Sequence, residues 1–203
     1  MKNGGKTVKL RFVTENVGKL EEARTVLSPL GIEVVHHSLA LVEPVEGGIE
    51  DVCLEKLRQV RRTGLNRVMV DDAGLFLKAY PGFPGVLTKR IFDQIGYRGF
   101  MKLLSGESRQ AWLEGTVAVL WDGKVRCFTG RTHGSIIEAD PERLRPEPGF
   151  PFNPVFVPEG EERVLSELSP EKRLEHSYRR KALEQLAAWL KERTGRNDGE
   201  PAD

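Results

Sequence analysis

Val68-Met69-Val70-Asp71-Asp72-Ala73-Gly74-Leu75 is an apolar run that ends on two adjacent carboxylates and a glycine. Acids at the end of a buried strand are costly unless a cation meets them, so the pattern predicts a strand that delivers Asp71 and Asp72 to a cation. The segments on its N-terminal side alternate in type. Val8 to Val13 reads as a strand, and Val17 to Leu27 places Leu20, Ala23 and Leu27 at helical spacing. Ile32 to Val35 reads as a second strand, and Ile49 to Val60 as a charged helix carrying Val52, Leu54, Leu57 and Val60. Alternation of this kind predicts an α/β fold, a mixed twisted sheet with flanking helices.

Beyond the acid pair, Tyr80-Pro81-Gly82-Phe83-Pro84-Gly85 reads as a shaped loop, because proline removes donors and glycine admits unusual dihedrals. Ile91 to Leu104 reads as a helix. Trp112 to Trp121 and Lys124 to Phe128 flank Asp122-Gly123, a strong hairpin signal, and Arg131 to Ile137 extends the sheet. Asp140 to Pro158 is dense in proline and glycine and reads as one long loop carrying Phe150, Phe152 and Phe156. Glu171 to Arg193 reads as one helix with Leu183, Leu186, Ala187 and Leu190 on a face, followed by a disordered tail at 194–203. Residues 1–193 are expected to form a single domain.

Composition narrows the function. The chain has 203 residues, with 31 lysines and arginines against 30 aspartates and glutamates, so no global field recruits nucleic acid or an anionic membrane. Cys53 and Cys127 form neither a disulfide framework nor a CxxC site, which fits a reducing compartment. No apolar run approaches the roughly 20 residues that span a bilayer. A cytoplasmic location is the expectation.

Thr14-Glu15-Asn16-Val17-Gly18-Lys19 falls between a strand and a helix, where free N–H groups and the helix dipole attract phosphate and Lys19 adds a mobile charge. The plainer alternative is a helix cap beside a solvated lysine. Together with Asp71 and Asp72 it points to metal-assisted chemistry on a polyphosphate, Mg²⁺ activating water. Glu43 and Glu46, in a Pro/Gly-rich loop, are within reach of the same cation. Phe150 and Phe152 offer faces for a purine, Asn153 offers an amide to a base edge, and Arg173, Ser177, Tyr178, Arg179 and Arg180 form a basic cluster at a helix start. The four histidines lack zinc-ligand spacing, and no serine, zinc or thiol hydrolase signature is present.

In one order run Thr14-x-Asn16-x-x-Lys19, Asp71-Asp72-Ala73-Gly74-Leu75, Gly82-Phe83-Pro84-Gly85, Gly149-Phe150-Pro151-Phe152-Asn153-Pro154-Val155-Phe156 and Ser177-Tyr178-Arg179. This resembles the inosine triphosphate pyrophosphatase family, from about Val8 to Leu190, with its archaeal members closest. The resemblance implies two lobes around a central nucleotide cleft, a homodimer, and Mg²⁺-dependent hydrolysis of non-standard purine nucleoside triphosphates (ITP, dITP, XTP) to monophosphate and pyrophosphate. By position it implies triphosphate contacts at Thr14, Asn16 and Lys19 and a catalytic acid at Asp72. It also implies a base-stacking ring at Phe150 and a base-reading arginine at Arg179. Asp72, with Asp71 or a loop glutamate such as Glu43, would hold the metal.

Departures from the family pattern cluster in the base site. Pro151, Phe152 and Asn153 stand where glycine, tyrosine and aspartate are usual, Tyr178 where histidine is, and Arg173 where lysine is. Ala73 replaces a serine, the loop glutamate falls at Pro44, and a helix lysine falls at Arg58. Retained pyrophosphohydrolysis with shifted base selectivity is the expectation. A nucleotide-binding paralogue without turnover and a pyrophosphatase for modified pyrimidine nucleotides are the rival readings.

Overall fold

The computed structural model describes residues 8–194. Its centre is a seven-stranded sheet whose main path runs β2 (Ile32–His37), β1 (Val8–Val13), β3 (Val68–Leu77), β5 (Gln110–Trp121), β6 (Lys124–Ile136) and β7 (Phe156–Pro158), with β4 (Tyr80–Pro84) pairing β3 off that path. β1 pairs parallel to β2 and β3, whereas β3, β5 and β6 pair antiparallel with one another in turn. The sheet is therefore mixed, as the alternation of segments predicts.

The first crossover runs through α1 (Val17–Leu27) and the second through α2 (Ile49–Arg62). The chain leaves β1 toward β2 on one side, while β3 continues toward β5 on the other. Adjacent strands whose onward connections diverge leave a crevice beyond their carboxyl ends, the usual ligand position in such sheets. Pairing of β1 with β3 stops at Phe12↔Met69, so Asp71 and Asp72 lie beside that crevice.

The acid pair does not end its strand. β3 runs on to Leu77 because β5 pairs with it without interruption from Val68↔Leu120 to Leu77↔Ala111. Three buried clusters cover the sheet. Phe12, Leu27, Met69 and Leu183 anchor one beneath α1 and α5 (Tyr178–Thr194); Val13, Cys53, Leu57 and Val70 anchor a second beneath α2. The third joins Leu77, Phe100, Phe152 and Phe156 around α3 (Thr88–Leu103).

Other departures from the sequence reading have local causes. Most of the segment read as a loop, Tyr80–Pro84, forms a short edge strand, where proline's missing N–H costs no ladder bond, with a cis peptide at Phe83–Pro84. β6 is continuous from Lys124 to Ile136, and the long loop contains β7. The expected helix from Glu171 to Arg193 is two: α4 (Pro170–Glu175), capped by Ser169, and α5. Ser177 starts α5 by accepting from the Arg180 N–H at 3.0 Å. Thr194 is the last residue of α5; the rest of the segment read as a tail lies outside the described residues.

α5 sits on a saddle of small residues. Gly115 and Gly130 face each other across β5 and β6. A Cβ on Gly115 would lie 2.6 Å from the Tyr178 ring, and one on Gly130 would lie 2.0 Å from the Tyr178 carbonyl oxygen. Only hydrogen at both positions lets the first turn of α5 descend onto the sheet.

Candidate active site

Successive side chains on a strand point to opposite faces, so the two carboxylates of β3 diverge. Asp71 turns toward α1 and α5. Its Oδ1 accepts from Lys19 Nζ at 2.9 Å and its Oδ2 from Arg179 Nε at 2.9 Å. Burial alone would raise this carboxyl, but Lys19 and Arg179 outweigh it and hold it at about 2. Arg179, with its side chain 2% exposed, also binds Glu22, which in turn accepts from Ser177 Oγ.

Asp72 turns toward α2, where Lys56 Nζ donates to its Oδ1 at 3.0 Å, to the Asp71 carbonyl oxygen at 3.2 Å and to Glu43 Oε1 at 2.7 Å. Burial raises the Asp72 carboxyl despite the attraction of Lys56 and Lys19. Lys56 is raised as well: burial lowers its pKa, but Asp72 and Glu43 dominate and raise it, so it is a firm ammonium. The cations demanded by the acid pair are thus supplied by the chain itself, a different one on each face.

Lys56 is the residue that the sequence reading missed. It lies in the buried stripe of α2 with Val52, Cys53, Leu57 and Val60, a place where lysine is rare unless paired. Arg58, the position where the family resemblance puts a helix lysine, instead faces outward and pairs with Glu55 at 3.0 Å. A charge inside an apolar stripe was the available signal.

At the end of β1, Thr14 Oγ1 accepts from the Asn16 N–H at 3.1 Å and Asn16 Oδ1 caps the Lys19 N–H at 3.1 Å. The N–H groups of Val17 and Gly18, in the first turn of α1, have no intrahelical acceptor. Together with Lys19 they form a positive lip at the crevice. The loop carrying Gly149 and Phe150 is seated on this lip: a Cβ on Gly149 would lie 2.6 Å from Asn16 Nδ2, and one on Gly18 would lie 2.7 Å from Phe150 Cε2. The Arg179 guanidinium stands 5.7 Å from the Phe150 ring centre and 5.2 Å from that of Tyr178.

The remaining expected residues separate into two groups. Phe152 belongs to the core: it is 4% exposed and meets Phe92 and Phe100 edge-on at 5.3 and 5.0 Å. The ring expected to face a base therefore packs inward. Asn153 and Arg173 remain partly open and share Glu147. Asn153 Nδ2 donates to Glu147 Oε2 at 2.7 Å, and Arg173 Nη1 approaches both Glu147 oxygens at 3.4 Å.

Of the three expected metal ligands, Asp72 and Glu43 converge on one ammonium, while Asp71 faces away and is occupied by Lys19 and Arg179. Among the described residues no three His, Cys, Asp or Glu side chains gather as a metal cage. The Asp72 and Glu43 pair does suit Mg²⁺, a hard cation that takes one or two carboxylates and completes its shell with water and substrate phosphate.

A mixed α/β sheet with a lysine-lined crevice at the carboxyl ends of its diverging strands defines a phosphate-handling α/β protein. The chain belongs to the Ham1 family, whose model matches residues 10–189. It is 39% identical to a dITP/XTP pyrophosphatase of Thermococcus kodakarensis, covering 91% of this chain and 98% of that protein. It is 36% identical to an inosine triphosphate pyrophosphatase of Yarrowia lipolytica, covering 90% and 95%. Among solved structures, a HAM1 protein from Coxiella burnetii shares the fold with a TM-score of 0.76 at 24% identity, covering 91% of this chain and 99% of that one. A dITP/XTP pyrophosphatase from Mycobacterium abscessus aligns with a TM-score of 0.67 at 31% identity, covering 88% and 98%.

Proposed function

We propose that this protein hydrolyses inosine, deoxyinosine and xanthosine triphosphates to the monophosphate and pyrophosphate, removing non-standard purines from the nucleotide pool. The observation that carries the reading is the placement of Lys19 and Lys56 on either side of the β3 acid pair, beside the capped start of α1. The names of its relatives support the same reaction.

In this reading the first-turn N–H groups of α1, with Thr14, Asn16 and Lys19, receive the triphosphate tail. Asp72 and Glu43 would hold Mg²⁺, which when bound lowers the pKa of a water and neutralises phosphate charge. Asp72 orients the attacking water toward the α-phosphorus and takes up its proton. Lys56, already between Asp72 and Glu43, neutralises negative charge that grows on the phosphoryl oxygens as the bond to pyrophosphate breaks. Phe150 offers its ring to the base, and Arg179, flanked by Ser177 and Tyr178, stands beside that ring. The reading includes a homodimer acting in the cytoplasm; among the described residues no helix is long and apolar enough to cross a membrane.

Incubation with Mg²⁺ and a panel of nucleoside triphosphates, scored for pyrophosphate against orthophosphate, tests the reaction. Pyrophosphate release from ITP and XTP, lost in Asp72→Asn, is the expected result. Orthophosphate as sole product, or undiminished turnover by the variant, overturns it.

A further inference from the structure

Asn153, on the loop that carries Phe150, and Arg173, on α4, meet at Glu147, and the loop backbone is pinned on both sides. The Asn153 N–H donates to the Phe150 carbonyl at 3.1 Å, and its carbonyl accepts from the Ser166 N–H at 3.0 Å. Arg173 is fixed in turn by donating from Nη2 to the Ser166 carbonyl at 2.6 Å and from Nε to the Leu168 carbonyl at 3.1 Å. With both held, the remaining freedom is the rotation of the Asn153 amide. That rotation matters, because one end of an amide donates and the other accepts.

An ionised carboxylate only accepts and a guanidinium only donates. Glu147, bonded to the Asn153 amide at 2.7 Å, therefore selects the orientation in which the NH₂ faces the carboxylate and the carbonyl oxygen is left over. Arg173 alone would attract the carbonyl and turn the amide the other way. Glu147 also matches the Arg173 charge, so the trio is neutral overall. No element other than this loop supplies that carboxylate among the described contacts of Asn153.

We propose that Glu147 is a specificity-determining positioning residue of the base site. By holding the Asn153 carbonyl outward it presents an acceptor to the ring N1–H of a 6-oxopurine. Adenine carries a lone pair at that ring nitrogen, and two acceptors repel. The inference rests on the functional reading above for its ligand class, a purine nucleotide, but not on turnover.

The test measures affinity for the α,β-imido analogues of ITP and ATP by calorimetry, in the intact protein and three variants. In Glu147→Gln the new amide both donates and accepts, so Asn153 is free to flip, and the preference for the ITP analogue is expected to fall about ten-fold. Asn153→Asp alone sets two carboxylates side by side and weakens both analogues. When Asn153→Asp is combined with Glu147→Gln, the introduced carboxylate accepts from the introduced amide and again offers an oxygen to N1–H, so the preference returns. That rescue is beyond a merely structural role for Glu147. A Glu147→Gln protein that keeps its preference within about two-fold, a double variant no better than the single one, or an intact protein without preference overturns the proposal. Preference without pyrophosphate release in the separate assay would instead remove the hydrolase reading and leave this one standing.

Discussion

Asp71 and Asp72 are neighbours in sequence and opposites in space: Asp71 is clamped by Lys19 and Arg179 on one face of β3, and Asp72 by Lys56 on the other. Their substitution should therefore separate stability from turnover. Asp71→Asn leaves a buried Arg179 short of a partner, a change that typically costs about 3–5 kcal/mol. Asp72→Asn takes one of its two carboxylates from Lys56 but leaves Glu43 and the Asp71 carbonyl, so it should cost less stability than Asp71→Asn while lowering kcat by about 100-fold or more. Thermal melts and pyrophosphate assays of the two variants check the contrast.

Lys56→Met keeps most of the buried stem and deletes the ammonium between Asp72 and Glu43. Two carboxylates then face each other without a counter-ion. The variant should be destabilised by about 2–4 kcal/mol, and added Mg²⁺ should raise its melting temperature more than that of the unmodified protein. An equal Mg²⁺ response in both proteins would count against a cation site at this pair.

Gly130→Ala puts a methyl group where the Tyr178 carbonyl stands, 2.0 Å from the new carbon. Backbone on both sides leaves no flexible group to yield. The loss of stability should reach about 3 kcal/mol, with ITP turnover falling as α5 and its Arg179 lift away. Gly123→Ala is the control for size, since a Cβ there meets nothing within 4 Å; it suffers only from its φ of +77°.

Tyr97 donates from its hydroxyl to the Pro151 carbonyl at 2.6 Å, and burial, with a smaller push from Glu147, raises its pKa to about 12. The unfolded chain would release this proton near 10, so the folded state holds it over the interval between those values. The contribution of Tyr97 to stability is full below pH 10 and declines as pH rises toward 12. Ultraviolet titration should show one of the three tyrosines ionising late, and Tyr97→Phe should abolish that late phase.

Periodicity made the first half of the fold legible. The β1 strand and α1 fall where the apolar spacing places them, and the loop–helix start at Asn16 could be read from residue type. The extent of β3 could not, because its continuation past the acids depends on β5, about forty residues later, offering an unbroken partner. Phe152 illustrates the same limit: an aromatic in a proline-rich loop looks available to a ligand until Phe92 and Phe100 are seen to enclose it. Lys56 was legible, as a lysine within the apolar stripe of an amphipathic helix. Glu147 carried no signal, because its importance lies in two partners that only the folded loop brings together.

In the proposed reaction, the seat of Gly149 and Phe150 on Asn16 and Gly18 would tie recognition at one end of a nucleotide to grip at the other. A ring that fits poorly would tilt the loop and, through it, the turn holding the tail. Discrimination between nucleobases would then be felt as a slower reaction as well as a weaker complex, so that competing cellular nucleotides could occupy the cleft briefly without being consumed.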